Sequence, residues 1–166
     1  MDMTKSRLTP YDPEYGTCSL THAGLRIYSD SVAPDAMTAK LGLEPQWTMT
    51  KGLPHELPSG RKREATVNGW FLSSKDRVTS RDLRDHLDWL LDRLGPAAAG
   101  LRVLQAEKVR MAVSCRWDSV AGHGGPTLWP EQMRRLAELN LECNFDVYLS
   151  DEEGAEPQDA GETETL

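Results

Sequence analysis

The chain has 166 residues and a mass of 18.5 kDa, which suits one domain with a single hydrophobic core. Its net charge is −7, but residues 151–166 carry seven acidic and no basic side chains, so residues 1–150 hold 19 of each sign. This balance argues against a domain that binds duplex nucleic acid through a broadly basic surface. No apolar stretch approaches the ~20 residues that cross a bilayer, and the N-terminus lacks an apolar signal core. We therefore expect a cytoplasmic protein that does not enter a membrane.

Composition divides the chain into three segments. Residues 1–16 contain two prolines, two tyrosines and no periodic pattern, which predicts a flexible N-terminal arm. Residues 17–150 carry the patterned apolar side chains and are predicted to form one α+β domain. Residues 151–166 have almost nothing apolar to bury and are predicted to be a disordered acidic tail, so their deletion should leave folding intact.

The first half of the domain reads as strand, helix and further strands. Alternating residues predict a strand over 20–28. Pro34 suits the first position of a short helix, and Gly42 suits its left-handed end. A brief strand over 47–50, a loop rich in turn-forming residues and a longer strand over 64–73 follow.

The second half holds the clearest helix and two alternating strands. Thr79 with Asp82 resembles a capping box, which predicts a helix over 80–94 with one apolar stripe of leucines. Another short helix over 97–106 and a helix from Pro130 to about residue 139 are predicted. The alternation predicts two strands, each with a buried inward row: Val109, Met111, Val113, Cys115 and Trp117 in the first; Leu141, Cys143, Phe145, Val147 and Leu149 in the second.

Period-two alternation in these last strands indicates a sheet with one buried and one solvated face. The fold class predicted from this order is α+β: a two-layer sandwich, mostly antiparallel, with helices packed on one face of the sheet. A ferredoxin-like core with an added helix and strand is the most economical topology.

The outward row of the sheet supplies the first candidate binding residues. If the strands lie side by side, polar groups share the open face: Arg26, Tyr28, Arg110, Arg116, Asp146 and Tyr148. One interpretation is cross-strand charge pairing on a solvated surface. The other is recognition of a polar ligand or a partner protein, because the arginine fork suits carboxylates and phosphates.

Two further features are candidates for contact with a partner. Lys51, Arg61 and Arg63 concentrate positive charge around the turn-rich loop, which is either simply solvated or a site for an anion or an acidic partner. Trp89 lies off the leucine stripe, so it either anchors a partner or packs beneath the N-terminal arm or a loop.

The sequence contains no recognisable motif for catalysis, disulfide bonding or metal binding. Three cysteines are too few for a disulfide framework, and Cys115 and Cys143 fall on inward rows, which leaves Cys18 as the one expected to be exposed. The histidines are far apart and no zinc-binding spacing occurs, so no metal, no other cofactor and no catalytic residue is predicted.

Several short phrases occur together in an order that resembles the bacterial domain-of-unknown-function family DUF4279. They are Leu25-Arg26-Ile27, Lys40-Leu41-Gly42-Leu43-Glu44-Pro45, Lys51-Gly52, Gly69-Trp70-Phe71-Leu72-Ser73-Ser74 and Asn144-Phe145-Asp146-Val147-Tyr148. The resemblance covers about residues 20–149 and leaves the acidic tail outside. It implies no known reaction, cofactor or catalytic residue.

The preferred hypothesis is a non-enzymatic module that binds another protein through its sheet face or the loop over 51–63. An immunity-type protein that neutralises a toxin is one concrete version. The alternative is a small-ligand receptor or enzyme whose site is assembled on the open sheet face, for which a deep pocket with groups such as Arg26, Arg116, Asp146 or His22 would be the discriminating observation. Nucleic-acid binding is a weaker third reading, and the sequence does not define the oligomeric state.

Overall fold

The computed structural model describes residues 6–57 and 59–149. Its elements, in chain order, are β1 (Cys18–Ser29), α1 (Pro34–Leu41), β2 (Trp47–Met49), β3 (Pro54–Glu56), β4 (Lys62–Glu64), β5 (Asn68–Ser73), α2 (Leu83–Leu94), α3 (Ala98–Ala106), β6 (Arg110–Ser119), α4 (Pro130–Glu138) and β7 (Glu142–Leu149). The predicted acidic tail and residues 1–5 of the arm lie outside the described residues.

The main sheet has five strands in the order β2-β5-β1-β6-β7, and β3 with β4 forms a separate hairpin. In the row β2, β5, β1 and β6, each strand is antiparallel to its neighbours. Strand β7 instead runs parallel to β6, after the crossover through α4. The α+β prediction of a mostly antiparallel sheet in a two-layer sandwich is confirmed. The sequence suggested a ferredoxin-like core; the observed topology is an antiparallel sheet to which the β6-α4-β7 unit adds a parallel edge strand.

The core lies between the helices and one face of the sheet. The predicted leucine stripe of α2 is buried against Ala23, Leu25 and Ile27 on the inward row of β1. Helix α3 packs closely on the end of α1, because Gly100 has no Cβ to collide with the Lys40 carbonyl oxygen. The opposite face of the sheet carries none of the described helices and stays open.

The predicted beginning of α2 is wrong by three residues. The helix starts at Leu83, and Asp82 is its N-cap, with the carboxylate accepting a hydrogen bond from the Arg84 N–H at 3.0 Å. Because Asp82 satisfies a free N–H of the first turn, the helix begins after this residue, and Thr79 lies in the preceding loop.

The strand predicted over 64–73 is two strands. Residues 62–64 pair with 54–56 in the β3–β4 hairpin, and β5 begins only at Asn68. The turn-rich segment therefore forms a small sheet of its own instead of a loop, because its two short strands pair with each other and their side chains bury little.

The predicted burial of the last inward row is wrong for most of β7. Cys143 is half-buried, but Phe145, Val147 and Leu149 are 42%, 46% and 62% exposed. The physical reason is that β7 is an edge strand, and α4 packs against α2 instead of over the far half of β7.

The described part of the N-terminal arm lies against α2 and α4. The fully buried Arg84 donates to the carbonyl oxygens of Thr9 and Pro10 at 2.6 and 2.7 Å, and its Nε donates to Asp82 at 2.8 Å. Its guanidinium also lies 4.9 Å from the ring of Trp129. Burial of this charge is compensated by the carboxylate and by two carbonyl groups. The flexibility of the whole arm stays a prediction.

Candidate functional site

The open face of the sheet is built from the outward rows of its strands. Alternation along β1 turns His22, Gly24, Arg26 and Tyr28 to this face. The register brings neighbours from both sides: Arg26 lies between Phe71 of β5 and Ala112 of β6, and Tyr28 lies between Gly69 and Arg110. On β7, Asp146 lies beside Arg116. The structure thus places all six sheet residues predicted from the sequence on one surface.

The central part of this face is a hollow of about 590 Å³. It is lined by His22, Gly24, Leu25, Arg26, Tyr28, Gln46, Trp47, Met49, Phe71, Leu72, Ser73, Lys75, Asp76 and Ser114. Gly24 lies at the floor, beside Ser73 and Ser114, where a larger side chain would fill the space. A Cβ at this position would also come within 3.0 Å of the Leu72 carbonyl oxygen. The depth of the hollow therefore depends on a glycine in the central strand.

Three aromatic rings form one wall of the hollow. The rings of Trp47 and Phe71 are stacked with centroids 3.8 Å apart, and Tyr28 meets Phe71 edge-to-face at 5.4 Å. Phe71 reaches this position because its ring lies over Gly69, where a Cβ would approach the ring to 2.6 Å. Trp47 is nevertheless 49% exposed. Such a wall offers apolar contact area to a ligand or a partner.

Arg26 brings a positive charge to this surface without an ion pair of its own. Its side chain is exposed and forms no ion pair or hydrogen bond with any residue in the part of the chain that the structure describes. It also borders a second hollow of about 490 Å³, which shares Tyr28 and reaches Arg110 and Glu142. Arg26 and Tyr28 therefore stand between two adjoining depressions.

The other arginines of the face already have partners. Arg116 makes two hydrogen bonds to the Asp118 carboxylate, at 2.7 and 2.9 Å, and its guanidinium lies 4.2 Å from the ring of Tyr148. Tyr148 donates to Asp146 at 2.9 Å. Arg110 has a longer contact with Asp30 at 3.9 Å. The charge pair of Arg116 and the hydrogen bond of Tyr148 thus lie within single strands, and the contact between β6 and β7 is the one between the Arg116 guanidinium and the Tyr148 ring.

His22 adds little positive charge at neutral pH. Burial in the hollow, together with the nearby positive charges of Arg116 and Lys75, lowers the pKa of its imidazole below the usual value. No described side chain hydrogen bonds to it. A neutral imidazole facing the hollow can donate one hydrogen bond and accept another.

The remaining predicted residues lie away from the hollow. Lys51 contacts Asp30 at 3.4 Å, and Arg61 and Arg63 lie at the exposed end of the β3–β4 hairpin. Trp89 is half-buried, with the Arg93 guanidinium 3.8 Å above its ring. It lines a separate hollow of about 570 Å³ with the loop residues Leu43 and Pro45. None of these groups lines the hollow of the open face, although Lys51 shares its partner Asp30 with Arg110.

Trp47 and Phe71 are contributors that the sequence reasoning missed. Phe71 follows Trp70 directly, so alternation requires one of the two rings to face outward, and this signal could have been used. The pairing of Trp47 with Phe71 depends on strand order, which the sequence does not show.

Two of the three cysteines are buried, and the third is half-buried. Contrary to expectation, Cys18 is fully buried and Cys143 is the more accessible thiol. Cys18 is covered because it lies at the start of the central strand, where its Sγ donates to the Leu20 carbonyl oxygen. The Cys115 and Cys143 sulfurs are 3.7 Å apart, and this contact, together with burial, raises the pKa of Cys115.

A serine and a histidine are also in contact, but inside the core. The Ser74 hydroxyl lies 2.7 Å from His86 Nδ1, and His86 Nε2 lies 2.7 Å from the Ser80 carbonyl oxygen. Because that carbonyl can only accept, Nε2 carries the proton and Nδ1 accepts from Ser74. Both side chains are buried, so this pair ties β5 to α2 and is not placed to meet a substrate.

The fold and the site define an α+β sandwich with a solvent-facing, aromatic-lined sheet surface. The chain belongs to the family described as a domain of unknown function, DUF4279, whose model matches residues 19–150. No curated protein and no solved structure matches the chain. Among the described residues, no helix combines the length and the apolar character that a membrane span requires.

Proposed function

We propose that this protein is a non-enzymatic binding module that recognises a partner protein through its open sheet face. The observation that carries the proposal is the half-exposed Trp47, stacked on Phe71, beside the unpaired guanidinium of Arg26. Trp, Tyr and Arg are the side chains most enriched among the residues that dominate binding energy at protein interfaces. Tyr28, which separates the two depressions, supplies the third of these types.

The chemistry of the face favours a partner with a carboxylate next to an aromatic or apolar group. Arg26 presents a planar fork of donors that no described carboxylate occupies, and a carboxylate can accept two hydrogen bonds from it. The aromatic wall lies on the adjoining strands, so one short segment of a partner can contact both. Recognition of a toxin by an immunity-type protein is one form of this proposal, by analogy with other small acidic domains. A cytoplasmic location remains an expectation.

The test is retention of a partner from native lysate by the immobilised full chain at low and moderate salt. Arg26→Glu and Trp47→Ala should each abolish retention of a stoichiometric partner, while Arg102→Glu, an exposed arginine on α3, should not. Arg63→Glu tests the basic hairpin in the same assay. Absence of a stoichiometric partner at every salt concentration, or retention indifferent to Arg26 and Trp47, would refute the proposal.

A small-ligand site is the second candidate, because the hollow of about 590 Å³ has the size of a ligand pocket. Its ligand would be a planar ring bearing an anionic group, stacked on Trp47 and paired with Arg26. Calorimetric titration with benzoate and phenyl phosphate measures this directly. Saturable heat that disappears in Arg26→Ala, with no protein partner captured, would favour this function over the first.

A further inference from the structure

Within the part of the chain that the structure describes, β7 forms a long edge of the sheet. Only β6 pairs with it among residues 6–57 and 59–149, over eight residues, whereas the opposite edge strand, β2, has three. Natural edge strands are usually short or protected by lysine, proline or a bulge. Residues 142–149 contain no lysine, proline or glycine, and their register with β6 is unbroken. The free side of β7 can therefore accept another strand.

The side chains beside this edge are apolar on one face. Phe145, Val147 and Leu149 are each between 42% and 62% exposed, and they form one row with Cys143. A half-exposed apolar row next to unpaired backbone groups is typical of a surface that binds another chain.

The apolar row is complementary to itself when two copies of β7 pair antiparallel. Antiparallel pairing of β7 with a second copy, around a two-fold axis perpendicular to the sheet, keeps the apolar rows of both copies on one side. With the axis at Phe145, this residue faces its counterpart and Cys143 faces Val147. These facing side chains within the strand are all apolar, which favours association.

Charge selects the same register. With the axis at Phe145, Glu142 faces Tyr148 and Asn144 faces Asp146, so no like charges are directly opposed. An axis at Asp146 would oppose two aspartates, and an axis at Asn144 would oppose Glu142 to Asp146. An axis at Val147 would pair only residues 145–149 within the strand.

We propose that the chain forms a homodimer in which β7 pairs antiparallel with β7 of a second copy, centred on Phe145. The two sheets then form one sheet of ten strands. Because the axis is perpendicular to the sheet, the open faces of both copies lie on the same side and form a bivalent surface. The dimer does not depend on what the open face binds.

The test is sedimentation velocity of the full chain over a micromolar concentration series. We expect a species of twice the chain mass of 18.5 kDa. Val147→Lys should give the monomer, because a charge on the apolar row opposes pairing, while Val103→Lys should leave the dimer intact. Val103 is a matched control: it is also 46% exposed, and it lies on α3. Circular dichroism must show that both variants keep the fold.

A cross-link tests the register independently of charge. Phe145→Cys should form a disulfide-linked dimer with oxidised glutathione, since the two thiols face each other at the axis, and Val103→Cys should not. A full chain that stays monomeric, a Val147→Lys variant that stays dimeric, or no cross-link at position 145 would each overturn the proposal. If the full chain is monomeric and a chain lacking residues 151–166 dimerises, the proposal fails for the full chain. The result would mean that residues 151–166 themselves block the β7 edge.

Discussion

Strands β6 and β7 lie side by side and run parallel, yet the inward row of β6 is buried and that of β7 is largely exposed. Cys115 and Trp117 of β6 are fully buried, whereas their register partners Phe145 and Val147 are 42% and 46% exposed. Both sequences alternate in the same way. The difference arises because β6 has a strand on each side and the helical layer above it, while β7 lies at the edge. Alternation therefore decides which side chains share a face, and the neighbouring elements decide whether that face is buried or exposed.

The largest expected effect comes from truncating one aromatic side chain in each of the two rows. Trp117→Ala should lower the free energy of unfolding by about 3–5 kcal/mol, because it empties a fully buried site. Phe145→Ala should lower it by only about 1 kcal/mol, since 42% of that residue is already exposed to water. Urea unfolding, at a protein concentration low enough to keep the chain monomeric, measures both. Similar losses in the two variants would show that β7 is covered after all.

The same contrast explains how much of the fold the sequence predicts. The leucine stripe of α2 and the outward positions of Arg26 and Tyr28 follow from local periodicity, and both are correct. The exposure of β7 is not predictable in this way, because it depends on strand order and on where α4 packs. Likewise, the burial of Arg84 depends on carbonyl groups about 75 residues earlier in the chain.

The candidate site was predictable only in part for a related reason. Its charged half could be assigned from the outward rows of three long strands. Its aromatic half depends on β2, a three-residue strand whose pairing with β5 brings Trp47 onto Phe71. Nothing local specifies that contact, because the two rings are more than twenty residues apart in the sequence.

A smaller effect should distinguish the covered histidine from the open one. Burial lowers the pKa of His86, although the Ser80 carbonyl and the carboxylates of Asp85 and Asp82 partly oppose this. Below its unfolded pKa of ~6.5 the unfolded state therefore binds more protons than the folded state. The contribution of His86 to the free energy of unfolding should be fully present above that pH. It should be lost as the pH drops toward the pKa of His86 in the folded state.

Unfolding between neutral and mildly acidic pH checks this with two matched variants. His86→Gln should flatten the acid-side loss of stability more than His22→Gln does. Both pKa values are lowered, but protonation of His86 would also disrupt the hydrogen bond that it accepts from Ser74 inside the core. If the acid-side loss is unchanged in His86→Gln, other groups control the pH dependence, and the contrast between the two histidines fails.

The smallest effect is expected on the open face itself. Arg26→Ala should alter the free energy of unfolding by less than about 0.5 kcal/mol, because the exposed guanidinium has no described partner to lose. Arg116→Ala should cost about 0.2–1 kcal/mol, the range for a solvent-accessible ion pair, since it removes the contacts with Asp118. Urea unfolding of both variants beside the wild type gives the comparison. A loss well above 1 kcal/mol for Arg26→Ala would mean that its side chain stabilises the fold, which would contradict the role proposed for it at this face.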